Sequence, residues 1–309
     1  MLFCRSWKPV YGTSLAVIIL AGMPFTAGYA TENGVSVYPV GVETVMPAML
    51  PGPGQSLLLE FNDFYQANAL VDGSGHSLVP GFHLRVGAVA FKFVHNWKVR
   101  ALGGTLVSSA AVPFLYEHLD GPFGKFDKRG VGNPDIGVLY VAYGKGPWHW
   151  YYGMDAFTPG AEYNKSDLLN VGQHNFAAAP SAAFTYLPNH GQSELSSRFQ
   201  YIVNFTNPAN EYRSGHEFVW EYTAMRNVVG KLALGLNGRY YQQMTDDLQN
   251  GICVGTGNRG RSVAMGPQAR YHLGRAALIL KFQREMLVEN RAAGNAFWFQ
   301  LGVPVGRHE

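Results

Sequence analysis

The stretch Glu194-Leu195-Ser196-Ser197-Arg198-Phe199-Gln200-Tyr201-Ile202-Val203-Asn204-Phe205 decides the fold. Leu195, Phe199, Tyr201, Val203 and Phe205 share one parity, and Glu194, Ser196, Arg198, Gln200 and Asn204 the other, with Ile202 the exception. Successive side chains on a strand point to opposite faces, so the segment has one greasy face and one charged face. A single strand of this kind fits any antiparallel sheet. Its recurrence along the chain is what discriminates.

Upstream, Leu57, Leu59, Phe61 and Tyr65 oppose Glu60, Asn62 and Gln66, and Phe82, Leu84, Val86 and Ala88 oppose His83, Arg85 and Gly87. Further strands read over 99–115, 135–143, 148–157 and 176–186. Downstream, Phe218, Trp220 and Tyr222 oppose Glu217 and Glu221, while Leu232, Leu234, Leu236 and Tyr240 oppose Asn237 and Arg239. Val263, Met265 and Ala269 then face away from Gln268 and Arg270, Leu278, Leu280 and Phe282 from Lys281, Gln283 and Glu285, and Phe297, Phe299 and Leu301 from Trp298 and Gln300. Long connections (67–80, 117–133, 159–174, 206–215, 243–262, 286–294) alternate with short turns near 97, 145, 189, 230 and 274.

About twelve strands with all long loops at one end make an antiparallel up-and-down meander, because Greek-key sandwiches mix connection lengths. A ring of twelve is too wide for side chains to fill. Water then belongs inside and the greasy band outside, which describes an all-β, transmembrane β-barrel of the outer-membrane type with a polar lumen. Closure also leaves no unpaired edge in lipid.

Bulk properties agree. Aromatic residues are 14% of the 309-residue chain and charged residues only 15%, against about 25% in soluble domains. Mean hydropathy is −0.06, too polar for helical spans. At the N-terminus, Arg5 and Lys8 precede an apolar run over 15–25, and Gly28-Tyr29-Ala30 offers a small-x-small cleavage site, so residues 1–30 read as a signal peptide. The run is shorter than the about 20 residues a membrane anchor needs. Without the two leader cations, the 24 basic residues become 22 against 21 acidic ones, which gives no basic excess for nucleic acid. Leader removal also leaves Cys253 as the one cysteine, so no internal disulfide is expected. Residues 31–54 are irregular and rich in Gly and Pro; with Tyr38 and Pro39 at their centre, they read as a lumen plug or as a tether. The barrel is expected over 55–304, with 305–309 as a tail.

Three segments, Gly34-Val35-Ser36-Val37-Tyr38-Pro39-Val40-Gly41, Pro51-Gly52-Pro53-Gly54 and Gly132-Asn133-Pro134-Asp135-Ile136-Gly137, with Asn290-Arg291, together resemble the MetA-pathway of phenol degradation family. The resemblance runs from about Thr31 to Pro304. It implies a bacterial outer-membrane protein for passive uptake of small, poorly polar, in particular aromatic, compounds, with no transferable catalytic motif. The partners implied are the lipid bilayer with lipopolysaccharide, the barrel-assembly machinery and a small hydrophobic solute. The trailing Pro304–Glu309 departs from the terminal aromatic usual in such barrels.

The lumen-lining candidates are Glu60, Asn62, His83, Arg85, Arg198, Gln200, Glu217, Glu221, Arg239, Gln268, Arg270, Lys281 and Gln283. Rings of charge filter solutes in a pore; the plainer reading is that these groups pair across strands and keep the lumen wet. No cofactor or metal site is expected. Gly255-Thr256-Gly257-Asn258-Arg259-Gly260 fits a dinucleotide fingerprint only in letters, since a period-two strand and not a helix follows. His149 and His216 lack metal-ligand spacing, and Trp148, Trp150 and Tyr152 suit an interfacial girdle. A lipid- or ester-hydrolysing barrel is the rival reading. It needs a serine, a histidine and an acid or amide converging on the outer rim, and Ser196 and Ser197 are candidates by abundance alone.

Overall fold

The structure is a computed structural model that describes residues 35–306. The predicted leader, residues 31–34 of the segment that follows it, and 307–309 of the tail lie outside the described residues. The strands are β1 (Ser56–Leu70), β2 (His83–Ala101), β3 (Gly104–Gly121), β4 (Gly124–Val131), β5 (Asp135–Lys145), β6 (Trp148–Phe157), β7 (Ala177–Tyr186) and β8 (Ser193–Asn204). There follow β9 (Tyr212–Arg213), β10 (Glu217–Val229), β11 (Leu232–Gln243), β12 (Leu248–Gln249), β13 (Ile252–Cys253), β14 (Arg261–Leu273), β15 (Ala276–Glu289) and β16 (Ala292–Val305).

Twelve of these pair antiparallel in ring order, and β1 bonds both β2 and β16, so the sheet closes. Every strand in the ring therefore has two neighbours, which is what hydrocarbon surroundings require. The opening stretch is β8, paired with β7 and β10.

Three connections differ from expectation. The short turn expected near 97 falls at Leu102-Gly103, because β2 runs on to Ala101. Residues 117–133 are not a loop: β3 rises to Gly121 and returns as β4, from Lys125 against Asp120 to Val131 against Phe114. The 286–294 connection shrinks to the two residues between β15 and β16, where Asn290 adopts φ +53°, the left-handed conformation that tight hairpins favour and Asn tolerates. Small strands inside the remaining long loops form a separate sheet, with β12 between β9 and β13.

Around most of the ring the greasy face is outside. Leu195, Phe199, Trp220, Leu234, Leu236, Leu280, Phe282 and Phe297 are all exposed, while Arg198, Gln200, Glu217, Glu221 and Lys281 are buried. Trp97, Trp148 and Tyr152 are exposed near the short-turn end, as an interfacial belt requires.

Strands β1 and β2 invert this arrangement. Phe61 is buried in a cluster with Val37, Val40 and Val42, and Leu59, Tyr65 and Ala90 pack on that cluster. The period of two then sends Glu60 and Asn62 outward, between Leu58 and the 59%-exposed Phe64. There Asn62 Nδ2 donates to Glu60 Oε1 (3.0 Å) and to the Phe299 carbonyl (3.4 Å). On β2 the inward residues are Leu84, Val86, Ala88 and Ala90, so His83 and Arg85 also point outward, at the long-loop end. The lumenal placement of these four residues is thus corrected. The inner face of this sector meets an apolar body, and its greasy side is turned in to cover it.

Candidate functional site

That body is the N-terminal segment. Residues 35–55 run down the inside of the barrel from Val35, whose carbonyl accepts from Gln173 Nε2, to Gly54, whose N–H donates to the Asn96 carbonyl (2.7 Å). Val37, Tyr38, Val40 and Val42 are buried, and Thr44 is fully so. The wall holds the segment by its backbone. Glu221 accepts from Tyr38 Oη (2.8 Å) and from the Gly41 N–H (2.6 Å). Lys281 Nζ donates to the carbonyls of Gly41 (2.5 Å) and Val42 (2.8 Å), and Gln300 Nε2 also reaches Val42 (2.8 Å). Further down, Glu194 accepts from the Met46 N–H (2.9 Å) and Thr185 from the Ala48 N–H (3.3 Å).

Gly41 is required where it sits. Its φ is +103°, and a Cβ there would collide with the Gln283 amide.

Arg198 is the electrostatic centre. Only 2% exposed, it contacts Glu43 (2.9 Å), Asp155 (3.2 Å) and Glu221 (3.7 Å), donates to Tyr151 Oη (3.1 Å), and lies 4.9 Å from the centre of the Tyr38 ring. Lys92 adds a second cation on Glu43. Burial alone would raise the Glu43 carboxyl, but Lys92 and then Arg198 outweigh it and hold the group at about 2. Burial pushes the Tyr38 phenol well above its ordinary value, so it remains the donor to Glu221.

The other expected lumenal residues also face in, and each is engaged. Arg239 pairs with Glu285 (2.7 Å), Arg270 with Glu194, Gln268 with Thr223, Gln200 with Asp155 (3.0 Å), Glu217 with Asn204 (2.7 Å) and Gln283 with Asn237 (2.7 Å). Asp155, Glu43, Lys92, Tyr151 and Trp298 were missed. Asp155 and Tyr151 do share parity on β6, but the same parity carries Gly153 and Phe157, so it does not read as a wet face.

Ser196 Oγ donates to Glu194 Oε1 (2.9 Å) and accepts from Thr185 Oγ1 (3.1 Å), and Ser197 Oγ donates to the Glu221 carbonyl (3.1 Å). Neither meets a histidine among the hydrogen bonds of the described residues. No group of three His, Cys, Asp or Glu side chains is placed to hold a metal among the described residues.

Beside the segment, under β1–β3, lies a cavity of about 250 Å³. Its walls are Phe61, Tyr65, Leu84, Val86, Ala88, Ala90, Pro113, Leu115 and Leu119, with Val37 and Val40 of the segment and Trp298 of β16. Residues 168–172 of the loop before β7 cover its long-loop end. A second hollow of about 540 Å³ opens at the short-turn end, where Ala48, Leu50 and Pro51 meet Asn96, Thr105 and His149. The two share no lining residue, and Glu43–Met46 lie between them in sequence.

A closed twelve-stranded antiparallel barrel with its greasy face out and an internal polar clamp is a transmembrane barrel of the outer-membrane kind. The chain belongs to the MetA-pathway of phenol degradation family, which it matches over residues 67–301. Among solved structures it is similar to the COG4313 outer membrane channel from Pseudomonas putida F1, with a TM-score of 0.73 and 14% identity over 84% of this chain and 98% of that one. The β domain of the Bordetella autotransporter BrkA (TM-score 0.44, 15% identity, 83% and 100% covered) and a Pseudomonas aeruginosa FadL homologue (0.38, 10%, 82% and 90%) superpose too loosely to support an inference. No curated protein matches the sequence.

Proposed function

We propose that this chain is an outer-membrane channel for passive uptake of small, poorly polar compounds, single-ring aromatics among them. The supporting observation is the greasy cavity, which sits inside the barrel across from an arc rich in buried charged and amide groups. A cavity of about 150 Å³ lined by Leu, Ile and Phe stays dry and binds benzene, so about 250 Å³ suits one ring with a short substituent. In this reading the solute enters from the long-loop side and rests against Phe61, Val86, Leu115 and Trp298. It passes on when the 43–46 stretch yields. Residues 35–55 are then the plug, with Tyr38 and Pro39 in it. The surroundings are the lipid bilayer and lipopolysaccharide, reached through the barrel-assembly machinery.

The test is uptake of labelled toluene and of lactose by intact cells with and without the chain. Toluene uptake should depend on it and lactose uptake should not. Ester or phospholipid hydrolysis by the purified protein, with toluene uptake unchanged, would replace the channel by the hydrolase.

A further inference from the structure

On β3 the inward row reads Pro113, Leu115, Glu117, Leu119, and all four line the cavity. Glu117 is a carboxyl in an aliphatic wall, 4% exposed, and among the described residues it makes no hydrogen bond and no ion pair. Its register partner on β2 is Val86, which offers nothing polar. Its partner on β4 is Lys128, whose ammonium is taken by Asp167 of the covering loop.

The cavity's other charges do not answer it. Arg239 is bound to Glu285, and Arg291 lies 4.3 Å over the Tyr241 ring. Asp63 makes three acids in the lining against two guanidiniums, and it leaves one buried oxygen without a partner, as Arg239 and Arg291 each leave their Nε. An unpaired carboxylate is costly in apolar surroundings, and a partner that supplies both charge and N–H donors removes that cost. The cavity is thus acidic and greasy at once, with its unanswered acid among Leu84, Leu115 and Leu119.

We infer that Glu117 determines specificity in this cavity, and that the favoured solute is a single-ring or similarly sized apolar body carrying a protonated amine. The ring packs against Val86, Ala88 and Leu115, and the ammonium meets the Glu117 carboxylate. This deepens the proposed function and rests on its reading of the cavity as a solute site. Benzoate-like anions are disfavoured by the same groups.

Calorimetric titration of the detergent-purified full chain tests it, with 2-phenylethylamine, ethylbenzene, 2-phenylethanol and phenylacetate as probes. The amine should bind at least about tenfold tighter than ethylbenzene, and phenylacetate weakest. In Glu117→Gln the amine's advantage should disappear while ethylbenzene binding is unchanged. The wild-type comparison stands even if the variant does not fold. Equal binding of amine and ethylbenzene in the wild type, an alcohol as tight as the amine, or an amine preference that survives in Glu117→Gln would each overturn the inference. Uptake by cells separates the two claims. Amine preference without uptake sinks the channel and spares Glu117, whereas toluene uptake without amine preference does the reverse.

Discussion

The sector β1–β3 and the arc from β6 round to β15 share the same period of two, yet they present opposite chemistry to the interior. In the arc, Arg198, Glu221, Gln268 and Lys281 face in and Leu195, Trp220 and Leu280 face out. In the sector, Phe61, Val86 and Leu115 face in. Phe64, Phe91 and Phe114 still face out, and Glu60 and Asn62 join them on the wall. Lipid dictates the outer face of a barrel; the inner face is dictated by whatever occupies the lumen. The arc clamps a backbone and needs hydrogen-bonding groups, whereas the long-loop half of the sector covers Val37, Val40 and a cavity; nearer the short turns Lys92 and Asn96 of β2 hold the segment as the arc does.

The comparison breaks most visibly at Arg198. Arg198→Met would leave Glu43, Asp155 and Glu221 facing one another without their shared cation. Removal of one partner from a buried charged cluster costs about 3–5 kcal/mol, to be read as a lowered urea midpoint in detergent. A loss below about 1 kcal/mol would mean that the arc does not depend on its charges.

Acid should act on the same clamp from the other side. The folded value of Glu43, about 2, lies below its ordinary 4.5, so its contribution is fully present above about pH 4.5 and is lost as pH falls through about 2. That shift corresponds to about 3 kcal/mol at neutral pH. Protease cleavage within 35–55 should therefore rise between about pH 4.5 and 2 in the wild type, and Glu43→Gln should already be cleaved at pH 7.

Gly41→Ala should cost about 1–3 kcal/mol through its positive φ and its collision with Gln283, and should raise ion conductance as the segment loosens. An unchanged conductance would show that the segment does not block the lumen. On the sector side, Ala88→Trp should fill the cavity and cut toluene uptake about tenfold, an effect equivalent to about 1.4 kcal/mol, while Gln200→Leu in the arc should leave that uptake unaltered.

The smallest effect sharpens the inversion itself. Glu60→Leu removes a carboxylate from the lipid-facing wall and should stabilise the barrel by about 1 kcal/mol in a melting experiment. A comparable destabilisation would put Glu60 back inside.

Strand count, closure and the orientation of the arc were legible in the residues. Glu194 to Phe205 has one greasy side and one wet side, and only one of those can meet hydrocarbon. The sector was not legible, because β1 and β2 are apolar on both parities: Leu58 and Phe64 alternate with Leu57, Leu59 and Phe61, and Phe91 and Phe93 with Ala90 and Val94. With grease on both sides, the scattered Glu60, Asn62, His83 and Arg85 looked like the wet face. The β3–β4 hairpin was likewise hidden, since Lys125 and Arg129 sit on strands that rise clear of the barrel ring and carry polar residues on their outer face.

Period-two patterning by itself determined that this chain forms a closed antiparallel barrel with its hydrocarbon face outward. Alternation is local chemistry, set by where Cβ points along each strand. Which face of β1 and β2 turns inward, what Arg198 holds, and that Glu117 ends up alone in an apolar cavity were decided only by tertiary structure. Each depends on residues 35–55 lying inside the ring, a contact between positions far apart in the chain that no local period encodes.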